Sequence, residues 1–291
     1  MDATEKQQLA RHLYVILVAN SIMVYDHMAT LTDEIAFIWR RPKALSAMLF
    51  LINRYLALVG NIYGLYVDFT LIPDQSCPKY MISRQLFIFL QQFIVCVTLI
   101  IRTYALYNRS KRLIIWVTFI LIVLAGGASA TIFGQYEGNL TISPGVGCFT
   151  TYTVEISAGL GLAWVAILAF EALIFVLTVY RTCKSRGLSR LRLVTRRNIL
   201  DVIFHDGVMY FGAMTLCNIP NIVMFYYGSA VIRGNVGLST FTGCMSVTLV
   251  SRLMLNLHKS VDSGILSVPA QDDDYCLSVF TTSISIQSAI A

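Results

Sequence analysis

Long apolar runs alternate with short polar connections along most of this chain. A helix needs about 20 apolar residues to cross the roughly 30 Å hydrocarbon core of a bilayer. Seven runs meet that length, at about 12–31, 44–67, 84–107, 113–133, 158–180, 201–227 and 236–257. They predict an all-α integral membrane bundle of seven transmembrane helices over residues 1–259. The first run is too long for the apolar part of a secretory signal and lacks a small-x-small cleavage site, so it reads as a retained helix. After Lys259 the chain turns polar and rich in Ser and Thr, with Asp272-Asp273-Asp274. Such a segment cannot bury a core, and residues 260–291 read as a disordered tail.

The connections carry their own signals. Thr32 offers a helix N-cap, with Asp33 and Glu34 in the first turn, where the helix dipole favours acids. Ile35, Ile38 and Trp39 fall on one side of that turn, which predicts a short helix in the membrane interface with Trp39 at headgroup depth. Pro42 suits the first turn of the next helix. Gly126-Gly127-Ala128-Ser129-Ala130 would let a neighbouring helix approach closely. Pro220 predicts a kink in the sixth span.

Composition supports the membrane class. The 291 residues are 56% hydrophobic and only 13% charged, with a mean hydropathy of +0.68; soluble domains average about 25% charged. The net charge of +6 does not point to nucleic acid, because its placement between apolar runs reads as topology. Fourteen of the 22 Lys and Arg residues fall after spans one, three and five or in the tail. They are Arg40, Arg41, Lys43, Arg109, Lys111, Arg112, Arg181, Lys184, Arg186, Arg190, Arg192, Arg196, Arg197 and Lys259. The opposite side holds Lys6, Arg11, Lys79, Arg84 and Arg233, and Arg54, Arg102 and Arg252 lie within spans. The positive-inside rule then puts the N-terminus outside and the C-terminus in the cytosol. Asn139-Leu140-Thr141, a glycosylation acceptor, falls on an outside connection in that arrangement. So do Cys77 and Cys148, on the oxidising side where a disulfide between them would persist. A plasma-membrane or secretory-pathway location follows.

The basic stretch 181–197 has two readings: attraction to anionic lipid, at about 1 kcal/mol per residue near the surface, or a docking surface for a cytosolic partner. Inside the spans, ionisable groups are costly and need partners or a water-filled cavity. Arg54 lies about 15 Å into its span and Asp26 about 8 Å from the cytosolic end of its own. The two are expected to pair, with Glu171 as the rival partner for Arg54. Such a charge group reads first as a packing staple and second as a polar ligand site within the bundle.

Several chemistries are set aside. No span holds an internal Lys for a Schiff base, and no H-x-x-x-H or H-E-x-x-H pair exists for a metal. The expected protein is no enzyme, has no cofactor and no metal, and meets the lipid bilayer as its main partner. A channel would be expected to show a polar stripe or a filter loop, and neither is evident.

Asp26-His27, Glu34, Trp39, Arg40-Arg41 and Asn53-Arg54-Tyr55 resemble the N-terminal signature of an uncharacterised family of fungal, basidiomycete-type multi-pass membrane proteins with a domain of unknown function there. The likeness covers roughly the first sixty residues and implies a fold class without an activity. Arg102-Thr103-Tyr104, Cys217-Asn218-Ile219-Pro220 and the Cys77/Cys148 placement faintly resemble motif positions of rhodopsin-like receptors. However, no acid precedes Arg102, no Trp follows Cys217, and the seventh span lacks Asn-Pro-x-x-Tyr. A receptor-like or sensory membrane protein is the leading expectation. A transporter or lipid-handling protein using Asp26, Arg54 and Glu171, or a structural membrane organiser, are the alternatives.

Overall fold

The computed structural model describes residues 3–39, 45–70, 77–107, 110–133, 141–142, 150–151, 154–189, 194–227 and 237–262. The described chain is helical apart from one two-residue strand pair. Its helices are α1 (Ala3–Phe37), α2 (Leu45–Asp68), α3 (Cys77–Leu106), α4 (Lys111–Phe133), α5 (Val154–Ser189), α6 (Val194–Tyr227) and α7 (Gly237–Asp262). Between α4 and α5, Thr141–Ile142 pairs antiparallel with Thr150–Thr151, Thr141 facing Thr151.

Six helices are long and apolar enough to cross a membrane, namely α1 to α5 and α7. The chain is that of a multi-pass integral membrane protein. α6 is not among the six counted over the described residues, where Asn218, Pro220 and Asn221 fall in its apolar second half. Pro220 lies inside this helix, and its ring removes the hydrogen bond that residue 220 would give to the carbonyl of residue 216.

The helices pack as a closed ring. Each touches its neighbours in sequence, and α7 returns to α1, where the most extensive helix contact forms. α7 also packs on α2, α3 and α6, and it buries 72% of its apolar stretch, where the other five bury between 17% and 50%. It is the central strut. One apolar cluster runs through all seven helices, with Phe50, Val95, Leu99, Phe170, Ile174, Met214, Val247 and Val250 among its members. A smaller cluster joins Ile88, Leu160, Trp164 and Phe225 across α3, α5 and α6.

The outer faces are apolar too. Tyr25, Val59, Trp116, Ile122 and Leu216 all stand more than half exposed. Apolar surface on this scale is unfavourable in water and is what a bilayer solvates.

Three expectations about local structure change. No separate interfacial helix starts at Thr32, because α1 continues unbroken to Phe37. Asp33 and Glu34 therefore sit near its C-terminal end, where the dipole disfavours acids, and their partners come from other helices. The basic stretch 181–197 is largely helical rather than a loop: α5 runs on through Ser189 and α6 begins at Val194, with 190–193 outside the described residues. Finally, among the described residues nothing packs against Gly126 or Gly127, though Ala128 beside them is buried. Gly161 does serve close packing, against Phe225 and Tyr226. The predicted tail from residue 263 lies outside the described residues.

These burial differences give a first test. Phe170→Ala should destabilise the bundle by about 3–5 kcal/mol, as truncation of a large core aromatic does. Trp116→Ala, on the lipid-facing side of α4, should cost far less. Unfolding of both variants in detergent measures the contrast; equal losses would contradict the inward and outward assignment.

Candidate functional site

Two stripes on the second half of α1 organise the first polar cluster. His27, Thr30 and Glu34 recur at helical spacing and face α2; Asp26 and Asp33 are seven residues apart and face α7. Arg54 on α2 takes up the first stripe. Its Nε lies 2.9 Å from Glu34 Oε2 and 2.9 Å from His27 Nδ1. The N–H is aimed at the imidazole, so the contact with Glu34 is ionic rather than a directed hydrogen bond. Nη2 donates to the His27 carbonyl at 2.8 Å and to Thr30 Oγ1 at 2.7 Å. A guanidinium only donates, so Nδ1 of His27 accepts and the ring proton belongs on Nε2.

Glu34 has further partners. Its Oε1 accepts from the Trp39 indole at 3.0 Å and from the Tyr55 hydroxyl at 2.9 Å. Phe50 lies under the guanidinium, 5.5 Å from ring centroid to Cζ. Both charges are buried, Arg54 at 4% and Glu34 at 0% exposure. Asn53 is also buried, with neither amide atom hydrogen-bonded.

The structure therefore corrects the expected pairing. Arg54 pairs with Glu34, and Asp26 pairs with Arg252 of α7. The reason is the length of α1: once the helix continues past Leu31, Glu34 reaches the level of Arg54. Lys259 lies 3.6 Å from Asp33, so the two α1–α7 ion pairs share one sequence offset. That offset is the signature of two parallel helices in register.

Glu171, the expected rival, belongs to neither pair. It is buried at 1% exposure between α3, α5 and α6. Gln92 donates to its Oε1 at 3.0 Å and Asn218 to its Oε2 at 2.7 Å. Gln92 and Asn218 were not singled out as ligands of this carboxylate by sequence. A polar residue in each of three spans was the available signal, but no spacing rule links them across helices.

A third cluster closes the other end of the bundle. Arg84 reaches Asp68 at 2.9 Å, the Tyr80 hydroxyl at 2.7 Å and Thr240 Oγ1 at 3.1 Å. Tyr80 in turn donates to Asp68 at 2.8 Å. A Cβ at Gly64 would fall on the Arg84 guanidinium, so glycine is what makes room for it. Next along the axis, Asn61 donates to Gln91 at 3.1 Å and Ser239 to Asn221 at 3.1 Å.

The remaining candidates divide by position. Arg181 donates to the Leu106 carbonyl at 3.3 Å and stacks over Tyr107 at 5.5 Å, tying α5 to the end of α3. Lys184 is exposed on α5. Arg186 continues that helix, and Arg196 and Arg197 fall in the first turn of α6. Arg190, Arg192, Asn139 and Cys148 lie outside the described residues, as do the side chain of Cys77 and the Arg40-Arg41 pair. The four cysteines with described side chains, Cys96, Cys183, Cys217 and Cys244, are free thiols. Among the described residues no group of His, Cys, Asp and Glu is arranged to hold a metal ion.

Residues 14–59 match the model of a Family of unknown function (DUF6533). That segment runs from Tyr14 in α1 to Val59 in α2. It contains every member of the Arg54 cluster, and Arg252, His258 and Lys259 of α7 reach it from outside, at Asp26, Ser46 and Asp33. The family match thus coincides with one hydrogen-bonded unit, the α1–α2 hairpin closed on Arg54. No match was found among curated proteins or among solved structures.

A double-mutant cycle tests the assignment. Arg54→Leu strands Glu34 and should cost about 3–5 kcal/mol, the range for breaking a buried pair. Adding Glu34→Gln should recover part of that loss, and the coupling measured by thermal unfolding should exceed that of Arg54 with Asp26. A larger Arg54–Asp26 coupling would reverse the pairing.

Proposed function

We propose that this chain is a seven-span, receptor-like or sensory membrane protein without enzymatic chemistry, its N-terminus outside and its C-terminus in the cytosol. The observation that carries the reading is the layered interior of the ring. Charged and amide side chains gather at separate levels along the axis, joined by the apolar cluster and by a buried, hydroxyl-bearing face of α7. Ion-paired networks close both ends, at Arg84–Asp68 and at Arg54–Glu34. Ion pairs that close the interior at both ends suit a switchable bundle better than an open conduit.

α6 is read as the seventh span because it fills the place between α5 and α7 in the ring. The charge bias supports the orientation, which would set the Asn139 sequon and a Cys77–Cys148 disulfide outside. The basic ends of α5 and α6 then face the cytosol and would meet a signalling partner or anionic lipid. A plasma-membrane or secretory-pathway location accords with that arrangement. One observation favours the transport reading instead: Glu171 is a buried carboxylate at the centre of the bundle with no cation beside it.

Epitope tags inserted at residues 139, 190 and 231 test the arrangement. In intact cells the tags at 139 and 231 should be accessible, and the tag at 190 only after permeabilisation. If 190 and 231 report the same side, α6 does not cross. Proteoliposomes separate the functional classes: a receptor-like protein should carry no radioactive sodium above empty liposomes, and sustained uptake would favour transport.

A further inference from the structure

Among the buried carboxylates of the described residues, Asp26 and Glu34 each hold an arginine, whereas Glu171 has no Lys, Arg or His nitrogen within 4.0 Å. The nearest layers with positive charge lie at the two ends. Gln92, its partner on α3, is eight residues beyond Arg84, about 12 Å along the axis. In the other direction, the Asn61–Gln91 bond sets the level of α2, and Arg54 is a further seven residues, about 10 Å, away. The ionisable side chains in electrostatic range are the thiols Cys96 on α3 and Cys217 on α6, which supply no positive charge.

The amides that hold Glu171 are themselves incomplete. Gln92 and Asn218 are 3% and 0% exposed, and Gln92 Oε1 and Asn218 Oδ1 have no hydrogen-bond partner. Buried polar atoms are nearly always satisfied, so each such orphan calls for an explanation. An amide presents the same shape with nitrogen and oxygen exchanged. Turned over, each amide sets an oxygen against one carboxylate oxygen, Gln92 against Oε1 and Asn218 against Oε2, so the three side chains offer oxygen ligands around one negative charge. Such an arrangement needs a cation among the oxygens or a proton on the carboxyl. Hard cations prefer oxygen ligands, and one negative charge matches one positive charge, leaving the membrane interior neutral. A divalent ion would call for more carboxylates.

We propose that Glu171, Gln92 and Asn218 form a binding site for one sodium-sized monovalent cation, with a proton as its competitor on the Glu171 carboxylate. The site joins α3, α5 and α6, so the bound ion would link three helices that meet only through apolar packing elsewhere in that layer. The proposal does not depend on the receptor-like reading, since either a switch or a transporter can hold such an ion.

The test uses the full chain purified in detergent, with thermal unfolding followed in sodium, potassium and choline chloride at matched ionic strength. A ligand that binds only the folded state raises its stability in proportion to the logarithm of concentration above half-saturation. The expected result is a midpoint that climbs with sodium but not with choline at alkaline pH, and loses that dependence as acid loads the carboxylate. Glu171→Gln preserves the shape and should unfold at one temperature in all three salts. Equal midpoints for the wild-type chain in sodium and choline would overturn the proposal. So would a sodium shift that persists in Glu171→Gln, or a dependence on pH without one on sodium. Should Glu171→Gln fail to fold, scintillation-proximity binding of radioactive sodium to the wild-type chain decides. Displacement by unlabelled sodium and not by choline is the expected outcome, and no specific binding would refute the site.

Discussion

An arginine nine residues into a membrane helix has to be neutralised and hydrogen-bonded where it stands, and the first third of this chain is shaped by Arg54. Lipid offers the guanidinium no partner, so α1 must supply them. It does so by remaining helical through Phe37, which keeps His27, Thr30 and Glu34 in one stripe. Ending the helix at Leu31 would leave Glu34 in a turn with no fixed aim. The arrangement has a local cost, because Glu34 lies near the negative end of the helix dipole. The Trp39 and Tyr55 donors and the Arg54 charge offset it. Register follows from the same contacts: the Arg54 set fixes α1 against α2, and Asp26 and Asp33 fix α1 against α7.

Much of this was legible in the residues. Apolar runs of bilayer length located the helices, because lipid imposes one requirement everywhere along the chain. Asp26, Arg54 and Glu171 stood out because charge in such a run is rare. Their pairing did not, and the reason is geometric. Depth along a helix can be counted at a constant rise, but which face a residue presents depends on where helices start, stop and rotate. The acids at 33 and 34 looked like the first turn of a new helix, since Thr32 before them has the chemistry of a cap. Only packing shows that the older helix continues. Arg252 illustrates a second limit: its partner lies 226 residues away, and no local pattern spans that distance.

The polar face of α7 marks a third limit. Ser239, Thr240, Thr242, Ser246, Thr248 and Ser251 are all buried, yet no polar stripe was expected. Spread over a helix with Phe241, Val247, Val250 and Leu253, they lower the hydropathy without forming a block of charge. Hydroxyl groups are tolerated in membrane helices because they bond to backbone carbonyls, and small side chains let helices approach. Thr242 uses the Cys217 carbonyl of α6 in this way, at 3.1 Å. A central helix must touch many neighbours at once, and small polar residues meet that demand better than large apolar ones.

The layers differ in charge balance, and that difference bears on function. Where Arg84 meets Asp68 and Arg54 meets Glu34, charges are matched, as expected of groups that hold helices in place. At Glu171 the charge is unmatched and two amide oxygens are idle. A layer left incomplete is tolerated where something else completes it, and departures from full satisfaction gather at functional positions. The location adds to the argument. Asn218 adjoins Cys217, whose carbonyl anchors Thr242 of α7, and it stands two residues before Pro220, where α6 lacks a backbone hydrogen bond. The Asn218 partner of Glu171 thus lies between the α6–α7 contact and the gap in the α6 hydrogen-bond ladder. A ring stapled at both ends has its room for adjustment near Glu171, the buried carboxylate of the described residues that no cation neutralises.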